Sequence, residues 1–397
     1  MLLRRPVARA TSPRPPLWGR VGGAALAAFT MTLLAPLGGD GLARADSMDP
    51  ALNRLVLDPT CRLSSATGGV TYNPATGFNR CQPDNGAWSK LVAQYGAALA
   101  ATAMHSARTT GYGGFEIAVE GAYTTIDRDQ PYWRNGTQGP RDPSSQNDSV
   151  LNDKPDGVLQ TYMFKLRKGF PFGLELMGTV GFMANTSIVV GGADVRWSLF
   201  EGFRTGIPAV FPELAIGGSV RTITGTDQMQ VTVASGDAQL SKPIPIAGVA
   251  VLTPYVGYQP IFIFGDSGTI DFTPNTDPQA QCGYVGSNTP VTPDPNKGYF
   301  DGQPVCGAAG VDAAADFNNN VVFDPVRMLR HRINFGLQLK VAVVKVGLHF
   351  LTDLTDLAPT NQDNDDFITD VNTGVRTNKF EGVGKQWTIA WDLGANF

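Results

Sequence analysis

Reactive side chains are scarce in this chain. Its 397 residues hold three histidines, His105, His331 and His349, and none lies in a recognisable nucleophile or metal motif. The four cysteines form no C-x-x-C pair and have no neighbouring histidine, which weakens a zinc reading. Asp363-Asn-Asp-Asp366, with Asp353, Asp356 and Asp370 nearby, is acidic enough to attract Ca²⁺ but lacks EF-hand spacing and reads as a solvated loop. No catalytic residue, cofactor or metal ligand is therefore expected, and an enzyme reading is disfavoured. Beyond the first 45 residues no apolar run is long enough for a membrane helix, and mean hydropathy is −0.08. That does not exclude crossing a membrane with strands, whose signal per segment is weak. A basic excess is also missing: the net charge is −4, so nucleic acid is not an expected partner.

What is present begins with an export leader. Arg4, Arg5, Arg9, Arg14 and Arg20 precede an apolar stretch from Val21 to Leu37, and Ala43-Arg44-Ala45 is a small-x-small cleavage site. Residues 1–45 are read as a cleaved signal peptide. Without those arginines the remaining chain is more acidic than the whole. Four cysteines in an exported chain suggest disulfides, and proximity favours Cys61–Cys81 and Cys282–Cys306.

At the other end, Trp387, Ile389, Trp391, Leu393, Ala395 and Phe397 share one parity, with Gln386, Thr388, Asp392, Gly394 and Asn396 on the other. Period two is a strand with one greasy and one polar face. A half-buried strand of a soluble sandwich is one reading. A lipid-facing strand that closes a barrel is the other, and the leader favours it. Trp387, Ile389, Trp391, Leu393 and the final Phe397 resemble the C-terminal signal of bacterial outer-membrane β-barrel proteins, a porin-like class. The resemblance implies residence in outer-membrane lipid and the barrel-assembly machinery as a partner during biogenesis. It supplies no substrate.

The same period recurs upstream. Phe115, Ile117, Val119 and Tyr123 alternate with Glu116 and Glu120, and Tyr162, Phe164 and Leu166 alternate with Lys165 and Arg167. Leu174, Leu176, Val180 and Phe182 oppose Glu175 and Thr179, and Val189, Val195, Trp197 and Leu199 oppose Asp194, Arg196 and Ser198. Leu214, Ile216 and Val220 oppose Arg221, and a strand through Met229, Val231 and Val233 is expected to bulge near Gly236. Ile246 to Phe264 is too uniformly apolar for its faces to be assigned. Ile333 to Val341 alternates with Arg332, Asn334, Gln338 and Lys340, and Val344 to Phe350 with Lys345 and His349.

With the terminal strand this predicts an all-β, antiparallel up-and-down transmembrane barrel of about ten strands, with eight to twelve open. It would occupy residues 113–397, with long external loops at 127–157, 265–328 and 353–385 and short turns at the opposite end. Residues 46–112 form an N-terminal segment with a helix over about 85–106, on which Trp88, Leu91, Val92, Tyr95, Leu99 and Ala103 recur at helical spacing. A periplasmic segment packed on the barrel rim and a plug inside the lumen are both open, the first slightly favoured.

Charges cannot face lipid cheaply, so Glu116, Glu120, Glu175, Asp194 and Asp392 are expected inside with Lys165, Arg167, Arg196, Arg221, Lys340 and Lys345. The near balance of sign favours a salt-bridge network over a selective path. His349 is expected inward with Asp392 near it, as a lumen hydrogen bond rather than a catalytic dyad. Two functions follow: a narrow or gated channel for small solutes, and a closed-lumen structural or surface-interaction barrel that acts through its external loops.

Overall fold

A computed structural model describes residues 46–57, 82–102, 105–140, 151–200, 211–272, 283–284, 304–305, 320–369 and 374–397. The leader and all four cysteines, Cys61, Cys81, Cys282 and Cys306, lie outside these residues.

Ten strands make a closed antiparallel wall. They are β1 (Phe115–Thr125), β2 (Val158–Gly169), β3 (Leu174–Met183), β4 (Val189–Ser198), β5 (Glu213–Thr224), β6 (Met229–Ser241), β7 (Ala250–Ser267), β8 (Val326–Val341), β9 (Val344–Asp353) and β10 (Trp387–Asn396). Every strand pairs with its sequence neighbours, and β10 closes the ring on β1 with Asp392 opposite Glu120 and Trp391 opposite Gly121. Closure matters energetically. In lipid no water meets a bare strand edge, so each backbone N–H and C=O must find its partner in the wall.

The outward parity is mainly apolar, with His331 bonded to the Tyr258 hydroxyl among its few polar side chains. On β3, Leu174, Leu176, Val180 and Phe182 are 41–53% exposed, while Glu175 between them is 2% exposed. The charged residues on outward positions of the wall strands, Lys168, Asp266 and Arg327, each sit one residue from a strand end. Strands of ten residues or more, tilted, suffice to cross a hydrocarbon core. Aromatic side chains mark both rims. At the end with short connections the Trp197 indole donates to the Phe172 carbonyl at 3.1 Å. At the other end Tyr123 meets Tyr162 edge-on and Phe350 stacks on Trp387, both at 6.3 Å between centroids. Such belts place amphipathic rings at the lipid–water boundary.

A charge on this face reports its solvent directly. Val180→Arg, near the middle of β3, is expected to cost about 2–4 kcal/mol of stability in a bilayer. Denaturant titration of the protein folded in lipid vesicles checks this, and a cost near zero would show that Val180 faces water.

Long connections follow β1, β7 and β9 and define a loop end; short ones, such as Ala342–Val343 between β8 and β9, define a turn end. The β9–β10 loop is built rather than merely solvated. The Asn361 side chain hydrogen-bonds both Leu329 backbone groups, and Asp363 and Asp366 form a reciprocal capping box around a 3₁₀ turn. Those carboxylates are thus engaged by backbone N–H groups.

Four expectations change. The helix, α1 (Asn85–Leu99), is capped by Asp84 and stops at Leu99 instead of near 106. Ala100 leaves the helical geometry, and wall side chains take over the backbone of the described residues beyond it: Gln259 donates to the Ala101 carbonyl, and Ser241 accepts from the Ala107 N–H. β6 has no bulge. Ser235 opposes Ile261 and Ala238 opposes Tyr258 in one continuous register, and pairing lapses beside Pro260, which has no N–H to give. β8 starts at Val326, so Arg330 joins Arg332 as a wall residue, and Asp353 ends β9 instead of opening a loop. The apolar β7 does have two faces: Val256, Tyr258, Phe262 and Phe264 point out, while Ile261 and Ile263 point in.

Candidate functional site in the barrel lumen

The reason β7 is apolar on both faces is the helix inside the barrel. Trp88, Leu91, Val92, Tyr95 and Leu99 of α1 are all at most 4% exposed. They join one core with inward Met183, Val190, Met229, Val231, Val233 and Ile263. Gly96 is where helix and wall come closest: a Cβ there would stand 2.5 Å from Ile263 Cγ2. Toward the loop end the Trp88 indole donates to the Asp324 carbonyl at 3.0 Å and its ring meets Phe323 at 5.6 Å. Residues 46–57 sit at that end too, where Asp49 accepts from the Ser187 N–H at 2.6 Å. A second short helix, α2 (Pro131–Gly136), caps α1. The Gln94 side chain donates to the Tyr132 hydroxyl at 2.6 Å and accepts from the Trp133 indole at 2.9 Å. Burial, then the nearby Asp127 charge, push the Tyr132 phenol above its ordinary range, so it remains protonated.

Below α1 a strap runs through the lumen, described over residues 100–102 and 105–113. It descends past Glu120, which accepts from the Thr102 hydroxyl at 2.9 Å, and past Gln338, which accepts from the Ser106 N–H at 3.2 Å. Arg108 then pairs with Glu213 at 2.7 Å, and the Thr110 N–H donates to Glu175 at 2.8 Å, just before β1 begins at the turn end. The lumen therefore has two tiers: an apolar one around α1 toward the loops, and an ionic one around the strap toward the turns.

The ionic tier brings most of the inward charges together. Arg167 donates to Glu116 at 3.0 Å and to Glu175 at 2.6 Å. Lys345 reaches Glu116 at 2.5 Å and Asp392 at 2.8 Å, and His349 lies 3.5 Å from Asp392 while the Tyr255 hydroxyl meets its Nε2 at 2.8 Å. Lys165 pairs with Glu120, and Arg221 with Asp194. Arg196 is held by Asp237 at 2.7 Å and by Gln239 at 3.0 Å. Near the loop end Asp353 takes Arg330 at 2.5 Å and Arg332 at 3.3 Å. Lys340 stands apart: it lies inward on β8, yet among the described residues it has no carboxylate within ion-pair distance.

Four wall members of this network lie outside the sequence reading. Asp237 shares the parity of Met229 to Ser235, which an assumed bulge would reverse. Arg330 shares the parity of Arg332, Asn334 and Gln338, and Asp353 that of Lys345 and His349. Glu213 opens β5 on the parity of Arg221. Continuing each strand's alternation past its expected end finds three of them.

Chemically the arrangement neutralises and fills. Each buried carboxylate of the ionic tier faces at least one base, and the gap between strap and wall beside Glu120, Lys165 and Arg221 is about 10 Å³, barely one water. Tyr255, His349 and Asp392 are near one another, but no described nucleophile stands against the histidine.

No protein-family model matches the chain, and no curated protein does. Solved structures with some likeness include Ail, the attachment invasion locus protein of Yersinia pestis, 9% identical, covering 72% of this chain and 99% of that one, with a TM-score of 0.22. The outer membrane protein OprG of Pseudomonas aeruginosa is 10% identical over 73% and 99%, TM-score 0.23. LpxR from Salmonella typhimurium is 11% identical over 70% and 99%, TM-score 0.27. The closed wall, its apolar outer face and its two aromatic belts are what define the class. This is the architecture of an outer-membrane β-barrel. Scores this low add nothing about what such a barrel does here, so function has to be argued from the lumen and the loop end.

Proposed function

We propose that this is a bacterial outer-membrane barrel with a permanently closed lumen, acting through its external loops as a structural or surface-interaction protein. The observation that carries this is the apolar packing of α1 against the inner wall. Each of Trp88, Leu91, Val92, Tyr95 and Leu99 is fully or nearly fully buried, and burial of a large side chain contributes roughly 1.5–3 kcal/mol. Withdrawing α1 would thus cost on the order of 10 kcal/mol before any hydrogen bond is counted. A ligand-coupled gate typically has about 1–3 kcal/mol to spend. The packing outweighs the gate.

The channel reading keeps one point in its favour, the cavity of about 220 Å³ beside the lower strap. Against it, the gap beside the end of α1 narrows to about 10 Å³ among the described residues. The export leader over residues 1–45 supports an outer-membrane address, and the outward face of Trp387, Ile389, Trp391 and Leu393 with Phe397 suits lipid and recognition by the barrel-assembly machinery. Of the two expected disulfides, Cys282–Cys306 gains support from the short ladder Gly283–Tyr284 against Pro304–Val305, whose flanking residues in sequence are those two cysteines.

Planar-bilayer recording of the refolded full chain tests the proposal. A silent membrane is expected at every holding potential, with insertion verified by heat-modifiable gel migration. Steady unitary openings in the wild-type protein would sink it in favour of the channel.

A further inference from the structure

Every inward base of the wall except Lys340 has a carboxylate within ion-pair distance among the described residues, and so does Arg108 on the strap. The exception is placed where it has room. Lys340 lines a cavity of about 220 Å³ at the turn end, between the strap and the wall. Ser106, Arg108, Thr109 and Thr110 of the strap, Thr253 of β7 and Gln338 of β8 share that lining.

The carboxylates around the cavity are already committed. Glu116 is shared by Arg167 and Lys345, and Glu213 is held by Arg108. The β8–β9 register puts Lys340 directly opposite Lys345, both inward. Like charges in a cross-strand pair repel. Lys345 is compensated by Glu116 and Asp392, whereas Lys340 has no such partner among the described residues and lines the cavity. Among the described residues, then, one inward positive charge faces a space large enough for a small solute and fringed by hydroxyls.

We propose that this turn-end cavity is a binding site for a small anion bearing a carboxylate or phosphate group. Lys340 supplies the positive charge, Arg108 also lines the cavity, and the Ser106 hydroxyl offers a donor to the anion's oxygens. The site is independent of the closed-lumen reading, since a solute can enter from the turn end without passing α1. A bound anion would also relieve the Lys340–Lys345 repulsion, so occupancy should stabilise the barrel.

Isothermal titration of the full chain in detergent with inorganic phosphate, and separately with acetate, tests this. Saturable binding of at least one anion is expected in wild type, weakening as NaCl is raised. Lys340→Gln should reduce the affinity at least tenfold, and Lys340→Arg should keep it within a few-fold. Thr253→Trp fills the cavity without touching its charge and should also abolish binding. A wild-type difference in gel mobility between unheated and heated samples shows that each variant still forms the barrel. Preference for phosphate or acetate tells which headgroup chemistry the cavity suits. Absence of saturable binding in wild type to both anions, or equal binding by Lys340→Gln, overturns the proposal. Binding that survives Thr253→Trp unchanged would place the anion elsewhere on the surface and overturn it as well.

Discussion

Arg167→Ala is expected to destabilise the barrel by about 3–5 kcal/mol, the usual cost of leaving a buried charge without its partner. Arg167 is 4% exposed and bridges two carboxylates, Glu116 and Glu175, which are 1% and 2% exposed. Without it, Glu116 retains Lys345, but Glu175 retains only the Thr110 N–H of the strap among its described partners. One substitution therefore damages both the wall and the contact that holds the strap. Arg167→Lys keeps the charge but loses the planar fork that reaches two acids at once, so an intermediate loss is expected. Urea unfolding in lipid vesicles, followed by tryptophan fluorescence, measures both. A loss below about 1 kcal/mol for Arg167→Ala would mean that water reaches these carboxylates as it does in exposed ion pairs. Arg221 is the gentler site. It serves Asp194 alone among the acids, and Asp194 is 14% exposed at the side chain, so the stranded group can be solvated.

Trp88→Ala should cost about 3–5 kcal/mol by the other mechanism, a cavity in a packed core. The ring is 0% exposed against Phe323, and its N–H is bound to the Asp324 carbonyl, so truncation removes dispersion contacts and leaves an acceptor unpaired. Trp88→Phe keeps most of the volume and should lose about 1–2 kcal/mol, part of it the hydrogen bond. The same unfolding assay ranks the three proteins. If Trp88→Ala unfolds at the wild-type midpoint, α1 is not seated in the lumen, and the closed-barrel reading fails with it.

The second prediction depends on where α1 lies, which is the point at which the sequence had least purchase. Trp88, Leu91, Val92, Tyr95 and Leu99 recur at helical spacing whether the helix lines a rim or fills a lumen. Periodicity identifies an apolar face without naming what covers it. One trace of the answer was present in the wall. Met229, Val231 and Val233, and Ile261 and Ile263, are apolar on a parity that should be polar in a water-filled barrel. Their pattern makes sense once a helix is packed against them.

Wall architecture was legible because period two is a local property. Alternation along β1, β2, β3 and β10 determined which residues meet lipid, the charged character of the inward face and the placing of Glu116, Lys165, Arg167, Glu175 and Asp392, since a one-residue slip would turn charges into hydrocarbon. What only the tertiary structure decided is which charge meets which. Arg196 finds Asp237 on β6, two strands away, and Arg330 finds Asp353, with register and strand tilt setting those distances. The strap's path and the solitary position of Lys340 belong to the same class. They follow from chain segments far apart in sequence converging inside one closed wall, and no local pattern encodes that convergence.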